Sequence, residues 1–159
     1  MTRLLLFAIA LIPLAPALAG EVPFAAPPLT VQGQPGAPVP ALGDIMGKIQ
    51  FRHIKLWYAI KERNWGLMDY ELDQIKDSFN NAVILYRNIP VEFIVAADEP
   101  LSALQKAANM KDGSKLERDY AALTAACNSC HKAAGVGFIV MKTPTSFPFG
   151  DQEIAPQRK

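Results

Sequence analysis

Cysteine and histidine are both scarce in this chain, which has two residues of each type among its 159. So small a supply allows a structural zinc site, which takes four such ligands, only if all four residues take part, including the distant His53. It also leaves few candidates for acid–base catalysis, and the sequence contains no Ser/His/Asp set, no paired-carboxylate motif and no phosphate-binding glycine loop. We therefore expect a protein that is not an enzyme.

An excess of charge and a long hydrophobic run are lacking as well. The 16 basic and 15 acidic residues give a formal net charge of +1, which offers little attraction to nucleic acid or to an anionic membrane surface. The apolar run at residues 4–14 contains Pro13 and is shorter than the ~20 residues that a spanning helix needs. We expect no nucleic-acid partner and no stable membrane insertion once the N-terminal segment is removed.

The N-terminus has the form of a targeting segment. Arg3 is the one charged residue before Glu21, an apolar run follows Arg3, and the cleavage pattern of small residues is matched at Ala17-Leu18-Ala19. These features predict a signal peptide over residues 1–19 that is cleaved near Ala19. The mature protein would therefore be periplasmic.

The rest of the chain is dominated by a helical pattern. Apolar side chains recur at alternating spacings of four and three residues in segments 41–63, 67–86 and 114–134, the period of helices that pack in a bundle. A shorter seam from Pro100 to about residue 111 predicts a further helix, since proline is favoured at the first helical position. We predict an all-α fold, a four-helix bundle over residues 41–149 preceded by a proline-rich arm at 20–40.

The connections and ends of the helices have their own signals. Residues 88–99 are expected to connect two helices, and Glu71 is expected to face solvent. Ser114 to Glu117 has the form of a capping box that would start the last helix, and Gly135 would mark its end. The apolar tail that follows is expected to pack back on the bundle, and residues 150–159 form a polar tail.

Both cysteines and one histidine fall in the sequence Cys127-Asn128-Ser129-Cys130-His131. This is the C-x-x-C-H pattern of covalent haem attachment, in which two thiols add to the vinyl groups and the histidine ligates iron. A dithiol redox pair, half a zinc site and a small disulfide are the alternatives. The residues before the motif look helical, whereas a redox pair favours a strand–helix context. We predict one haem c, with Cys127 and Cys130 as attachment sites and His131 as proximal ligand.

The second axial position of the iron would decide the function. His53 and Met46 lie on the seam of the first helix, seven residues apart, so they share a face but only one could be level with the iron. We expect His53 as the sixth ligand, with packing in the core as the alternative role of its ring. Met46 is the second candidate and Met141 a remote third.

The motif and the helical pattern together resemble the class II cytochromes c, the cytochrome c′ type. In that family a four-helix bundle holds the haem and the attachment motif lies near the C-terminus. The resemblance covers about residues 41–137 and implies haem on the C-terminal helix, bound by Cys127, Cys130 and His131. The long apolar tail and the short third helix depart from the family pattern.

On this basis we expect a periplasmic monohaem c-type cytochrome that carries single electrons between redox partner proteins. A strong protein ligand at the second axial position would favour electron transfer. An open distal side would instead favour a gas-binding haem protein for NO or CO. A haem subunit that docks to a partner redox enzyme is a further alternative. The sequence leaves open whether the protein forms a homodimer.

Overall fold

A computed structural model of the chain describes residues 38–86, 89 and 91–157. Over these residues the chain forms four helices and no strand: α1 (Leu42–Lys61), α2 (Trp65–Leu85), α3 (Val91–Met110) and α4 (Leu116–Ala133). The prediction of an all-α fold with four helices is confirmed. No helix within the described part is long and apolar enough to cross a membrane. The predicted signal peptide and residues 20–37 of the predicted arm lie outside the described residues.

The helices pack in chain order, α1 on α2, α2 on α3 and α3 on α4, and α1 with α4 completes the ring of neighbours as the most loosely packed of the four pairs. Short connections favour such antiparallel neighbours in a bundle. The predicted seams of α1, α2 and α4 supply most of the core, because a stripe with this period faces one side of a helix. The buried seam residues are Ile49, His53, Leu56, Ile60, Met68, Leu72, Ile75, Phe79, Ala82, Leu116, Tyr120 and Leu123.

The turn between α1 and α2 is shorter than the sequence predicted. Trp65 and Gly66, expected in the turn, are the first residues of α2. Asn64 is the N-cap residue, since its side-chain oxygen accepts a hydrogen bond from the backbone N–H of Leu67 at 3.1 Å. Its side-chain nitrogen donates to the carbonyl of Ile154 at 2.8 Å. One residue therefore starts α2 and also holds the end of the tail.

The third helix is longer than predicted, and the prediction that residues 88–99 form a connection is wrong for residues 91–99. α3 begins at Val91, with Pro100 inside it. A proline inside a helix removes one backbone hydrogen bond, but Ala97, Leu101, Leu104 and Ala108 are all buried. The stripe that they form crosses Pro100 without a break in period, so packing outweighs the missing bond. All four helices therefore have similar lengths, from 18 to 21 residues.

The predicted capping box does not form at the start of α4. The helix begins at Leu116 with Lys115 as its N-cap residue, and no side chain caps it. The backbone N–H of Ser114 donates to the carboxylate of Asp112 at 2.9 Å instead. This local bond holds Ser114 in a turn before the helix, because a short acidic side chain competes for nearby backbone groups.

The first two turns of α1 also lack a capping side chain. Ala41 occupies the N-cap position and offers no side-chain oxygen. Gly43 and Gly47 follow in the helix, and glycine is a poor helix former. The carbonyl of Pro40, just before the helix, accepts a hydrogen bond from the hydroxyl of Tyr86 at 2.7 Å. The start of α1 is therefore held by a contact from α2 rather than by its own sequence.

The tail after α4 returns along the bundle, as the sequence predicted, but not over its whole length. Phe147 packs against Tyr58, with ring centroids 4.9 Å apart, and Phe149 packs against Phe51 at 4.2 Å. Packing continues past residue 149, since Ile154 is buried. The apolar side chains nearest α4 do not take part, because Phe138 and Val140 are 82% and 69% exposed.

Glu71 was predicted to face solvent, and the structure shows that this is wrong. Its side chain is buried and lies 3.2 Å from the guanidinium of Arg52, which is partly exposed. Burial raises the pKa of the Glu71 carboxyl, while the charge of Arg52 and its hydrogen bond act in the opposite direction. The ion pair therefore joins α1 to α2 and compensates a buried charge.

We predict that Arg52→Met destabilises the protein by about 1–3 kcal/mol at pH 7, because the Glu71 carboxylate would stay buried without a partner. A raised pKa means that the native state binds the proton more tightly than the unfolded chain, so acidification favours folding at this group. The loss should therefore shrink as the pH falls toward 4.5. Urea unfolding at several pH values measures it.

The matched control is Lys61→Met, which breaks the ion pair of Lys61 with Glu117 at 2.8 Å. Both side chains of that pair are about half exposed or more, so the change should cost less than about 1 kcal/mol at any pH. Equal losses in the two variants, or a loss in Arg52→Met that does not depend on pH, would contradict the account of Glu71.

Candidate functional site

A cavity of about 210 Å³ lies at one end of the bundle, partly open to solvent. It is bounded by the start of α1, the end of α2, the start of α3 and the end of α4. Its lining is almost entirely apolar and consists of Leu42, Gly43, Met46, Phe79, Ile89, Phe93, Ile94, Ala97, Ala126, Cys127, Cys130, His131, Ala134, Val136 and Ile139. The wall of one apolar cavity therefore includes Cys127, Cys130 and His131 of the C-x-x-C-H motif.

The two cysteines lie in the last turns of α4, where both side chains are half-buried as free thiols. Burial raises the pKa of Cys127 to about 11. Burial, together with the charge of Glu92, also raises the pKa of Cys130. Thiols of this kind stay protonated near neutral pH, whereas a reactive dithiol pair needs a lowered pKa. This arrangement disfavours the dithiol redox alternative.

The end of α4 fixes the backbone around His131. Gly135 adopts a positive φ of 74°, a conformation that glycine tolerates well. The N–H of Val136 donates to the carbonyl of His131 at 2.9 Å, and the N–H of Gly135 donates to that of Lys132 at 3.2 Å. These two bonds make a Schellman motif. The chain is thereby turned back toward the helix just after the motif.

This reversal brings a backbone acceptor to the ring of His131. Nδ1 of His131 lies 2.7 Å from the carbonyl oxygen of Ile139. Since a carbonyl can only accept, Nδ1 donates, and the lone pair of the neutral ring is then at Nε2. A histidine that ligates a metal characteristically donates its other ring N–H in this way. Glycine at position 135 signalled the reversal in the sequence, but the sequence did not reveal which carbonyl would reach the ring.

The structure places His53 outside the cavity lining, in the core between α1 and α4. Thr124 donates its hydroxyl hydrogen to the carbonyl of Tyr120 at 3.0 Å, so its oxygen accepts from Nε2 of His53 at 2.9 Å. Nδ1 then accepts from the hydroxyl of Tyr120, also at 2.9 Å. Both ring nitrogens have protein partners, which is the packing role considered as the alternative in the sequence.

The two methionine candidates are separated by the structure. Met46 lines the cavity together with the C-x-x-C-H residues. The backbone of Met141 pairs with the side chain of Asn128, and Met141 is not part of the lining. Of the three distal candidates, the structure brings only Met46 to the same cavity as His131.

The sequence did not predict that one wall of the cavity is part of a helix. Phe93, Ile94 and Ala97 line the cavity, but they lie in the segment that was expected to be a connection. Their apolar character was visible, and a helical period that continues through Pro100 was the signal that could have placed them on a helix.

No group of three or more His, Cys, Asp or Glu side chains that could hold a metal ion occurs within the described part of the chain. A haem needs less from the protein, since the porphyrin supplies four nitrogen ligands and one histidine is enough to hold the iron. In comparisons with protein-family models, with curated proteins and with solved structures, the chain has no significant match.

We predict that His53 makes the protein less stable in acid. Burial lowers the pKa of His53 from 6.5 to about 4, so the unfolded chain binds its proton more tightly and stability falls as the pH drops between these values. The full contribution is about 3 kcal/mol. Urea unfolding between pH 7 and pH 4 should show this decline in a Glu71→Gln background, which removes the opposing titration of Glu71.

In the same background, His53→Gln should be less stable at pH 7 and should lose most of the decline. A Glu71→Gln, His53→Gln protein that weakens in acid as steeply as Glu71→Gln alone would contradict the prediction.

Proposed function

We propose that the protein is an exported monohaem c-type cytochrome that carries single electrons. The observation that carries this proposal is the position of Cys127, Cys130 and His131 on one apolar cavity wall, with Nδ1 of His131 bonded to a carbonyl so that Nε2 holds the lone pair. An apolar cavity with a few convergent ligand groups is the usual form of a cofactor site. Export rests on residues 1–19 and stays a prediction from sequence.

The residues present fit a covalently attached haem. Each thiol would add its sulfur and hydrogen across one vinyl group, so two C–S bonds would form without an oxidant. Nε2 of His131 would ligate the iron, and the carbonyl of Ile139 would strengthen the imidazole as a donor. The apolar side chains of α1, α2 and α3 would exclude water from the face of the ring. When bound, the haem would supply a one-electron Fe(III)/Fe(II) couple.

The size of the cavity bears on how electrons would enter and leave. Its volume of about 210 Å³ is below the ~300–1,000 Å³ of typical ligand pockets. A haem would therefore extend beyond the described cavity toward its open side. An exposed porphyrin edge suits exchange of electrons with redox partner proteins.

For the sixth ligand we propose Met46 in place of His53. Apart from the motif residues, Met46 is the one side chain in the described lining that could ligate iron, and thioether is a known axial ligand in cytochromes. Ligation by His53 would require its ring to move to the cavity and to give up at least one of its hydrogen bonds to Tyr120 and Thr124.

A gas-binding function is the second candidate, because the rest of the lining is apolar. If Met46 remains a packing residue, the distal side of the iron would stand open in an apolar pocket, which favours small gases such as NO or CO.

We predict that the mature protein, produced with a c-type maturation system, keeps its haem after acid–acetone extraction. Thioether bonds resist this treatment, whereas a haem held by iron ligation alone is extracted. Cys127→Ala with Cys130→Ala should lose covalent haem completely, while Ser129→Ala, inside the same motif, should retain it. A colourless wild-type protein with a Cys127–Cys130 disulfide would refute the proposed function.

We also predict that Met46→Leu removes the methionine–iron charge-transfer band of the ferric protein and speeds CO binding to the ferrous form at least tenfold. Leucine keeps the volume of methionine and removes the sulfur. His53→Gln is the matched control and should change neither property. If the wild type binds CO rapidly and Met46→Leu changes nothing, the gas-binding candidate replaces the electron carrier.

A further inference from the structure

The side chain of Asn128 connects the C-x-x-C-H motif to the tail. Its Nδ2 donates to the carbonyl of Met141 at 2.9 Å, and its Oδ1 accepts from the N–H of Met141 at 2.7 Å. The two bonds pair the side-chain amide with both backbone groups of one residue, 13 positions away in sequence. We refer to this pair as the Asn128 clamp.

The clamp lies next to a series of hydrogen bonds around His131. The carbonyl of His131 accepts from Val136, and the carbonyl of Val136 accepts from the N–H of Ile139 at 2.9 Å. The carbonyl of Ile139 in turn accepts from the His131 ring. Met141 follows Ile139 by two residues. The segment that supplies the acceptor is thus fixed at one end by the Schellman motif and at the other by Asn128.

Burial does little to hold this segment in place. Phe138 is 82% exposed and Val140 69%, so these two side chains gain little from contact with the bundle, and Ile139, which lines the cavity, is still 47% exposed. The next aromatic contact along the tail is that of Phe147 with Tyr58. Between Val136 and Phe147, the side-chain hydrogen bonds that fix the backbone come from the His131 ring to Ile139 and from the Asn128 clamp to Met141.

We propose that Asn128 is a positioning residue for the proximal histidine: it clamps Met141 and so holds the Ile139 carbonyl against Nδ1 of His131. This inference rests on the proposed function, and it assigns a role to a variable position of the motif. Partners of ligating histidines orient the ring and raise its basicity, and their loss commonly changes metal properties 10–100-fold. A more basic imidazole favours Fe(III), so the clamp would lower the reduction potential.

The test compares Asn128→Ala with Ser129→Ala in the full mature chain. Ser129 is the other variable residue of the motif, and its hydroxyl bonds only to the carbonyl of Ala125 in its own helix. In the haem-loaded protein, Asn128→Ala should shift the Fe(III)/Fe(II) equilibrium about tenfold toward Fe(II), which is ~59 mV upward for one electron. Asn128→Asp keeps the acceptor and loses the donor, so hydrogen exchange at its Met141 amide should lie between that of Asn128→Ala and that of the wild type.

Two readouts do not depend on electron transfer. Hydrogen exchange at the Met141 amide should be slowed in the wild type and Ser129→Ala and fast in Asn128→Ala. In histidine labelled with ¹⁵N, the chain's two rings serve as probe and reference. The ring proton at Nδ1 of His131 should exchange slowly with solvent in the wild type and faster in Asn128→Ala, because the Ile139 carbonyl no longer holds it, while the ring proton of His53 should stay unchanged.

Each outcome decides a separate point. Faster exchange at Met141, faster exchange of the His131 ring proton and a raised potential in Asn128→Ala alone support the positioning role. Faster exchange at Met141 with an unaltered potential and ring proton overturns it and leaves Asn128 as a tail anchor. Unchanged exchange at Met141 overturns the clamp itself. If the wild type carries no haem, the proposed function fails, and the two exchange readouts still decide whether Asn128 orients His131.

Discussion

The hydrogen bonds of His53 with Tyr120 and Thr124 hold together α1 and α4, the most loosely packed of the neighbouring helix pairs. All three side chains are buried, and a ring nitrogen left without a partner would cost about 1–3 kcal/mol. The spacing of α1 and α4 is therefore fixed at this level of the bundle. Met46 lies two turns from His53 on α1, and Cys127 lies one turn from Thr124 on α4. At the level of these two residues, apolar side chains surround the cavity. The cavity thus lies where the polar contacts between the two helices end.

The candidate site combines two kinds of structure. α4 places Cys127, Cys130 and His131 on one wall through ordinary helical spacing. The partner of the His131 ring comes from outside the helix, because α4 ends at Ala133 and the chain reverses at Gly135. A helix alone could not supply that acceptor, since its own carbonyls are directed along the axis into backbone bonds. The early end of α4 is therefore part of the site rather than only its boundary.

Periodicity in the sequence predicted the fold well. Side-chain chemistry predicted some features of the site and missed others. The seams of α1, α2 and α4 were recognisable because each repeats over five or more turns. The start of α3 was missed because Pro100 suggested a first turn, whereas a continuous buried stripe carries the helix through it. Residue spacing predicted that the motif lies on one face of a helix, and in the structure this face forms part of the cavity wall. The partners of His53 and the burial of Glu71 depend on contacts between helices, and one sequence without its packing does not contain them.

The uncapped, glycine-containing start of α1 has a consequence for how the cavity can open. Each glycine costs a helix interior about 1 kcal/mol relative to alanine, and a missing cap costs about 0.5–2 kcal/mol. The turns that carry Gly43 and Met46 form one side of the cavity, so local fraying of α1 would open that side at a lower cost than global unfolding. Such fraying would leave the His53 contacts intact. In the proposed cytochrome, it would give the haem ring a route into the cavity.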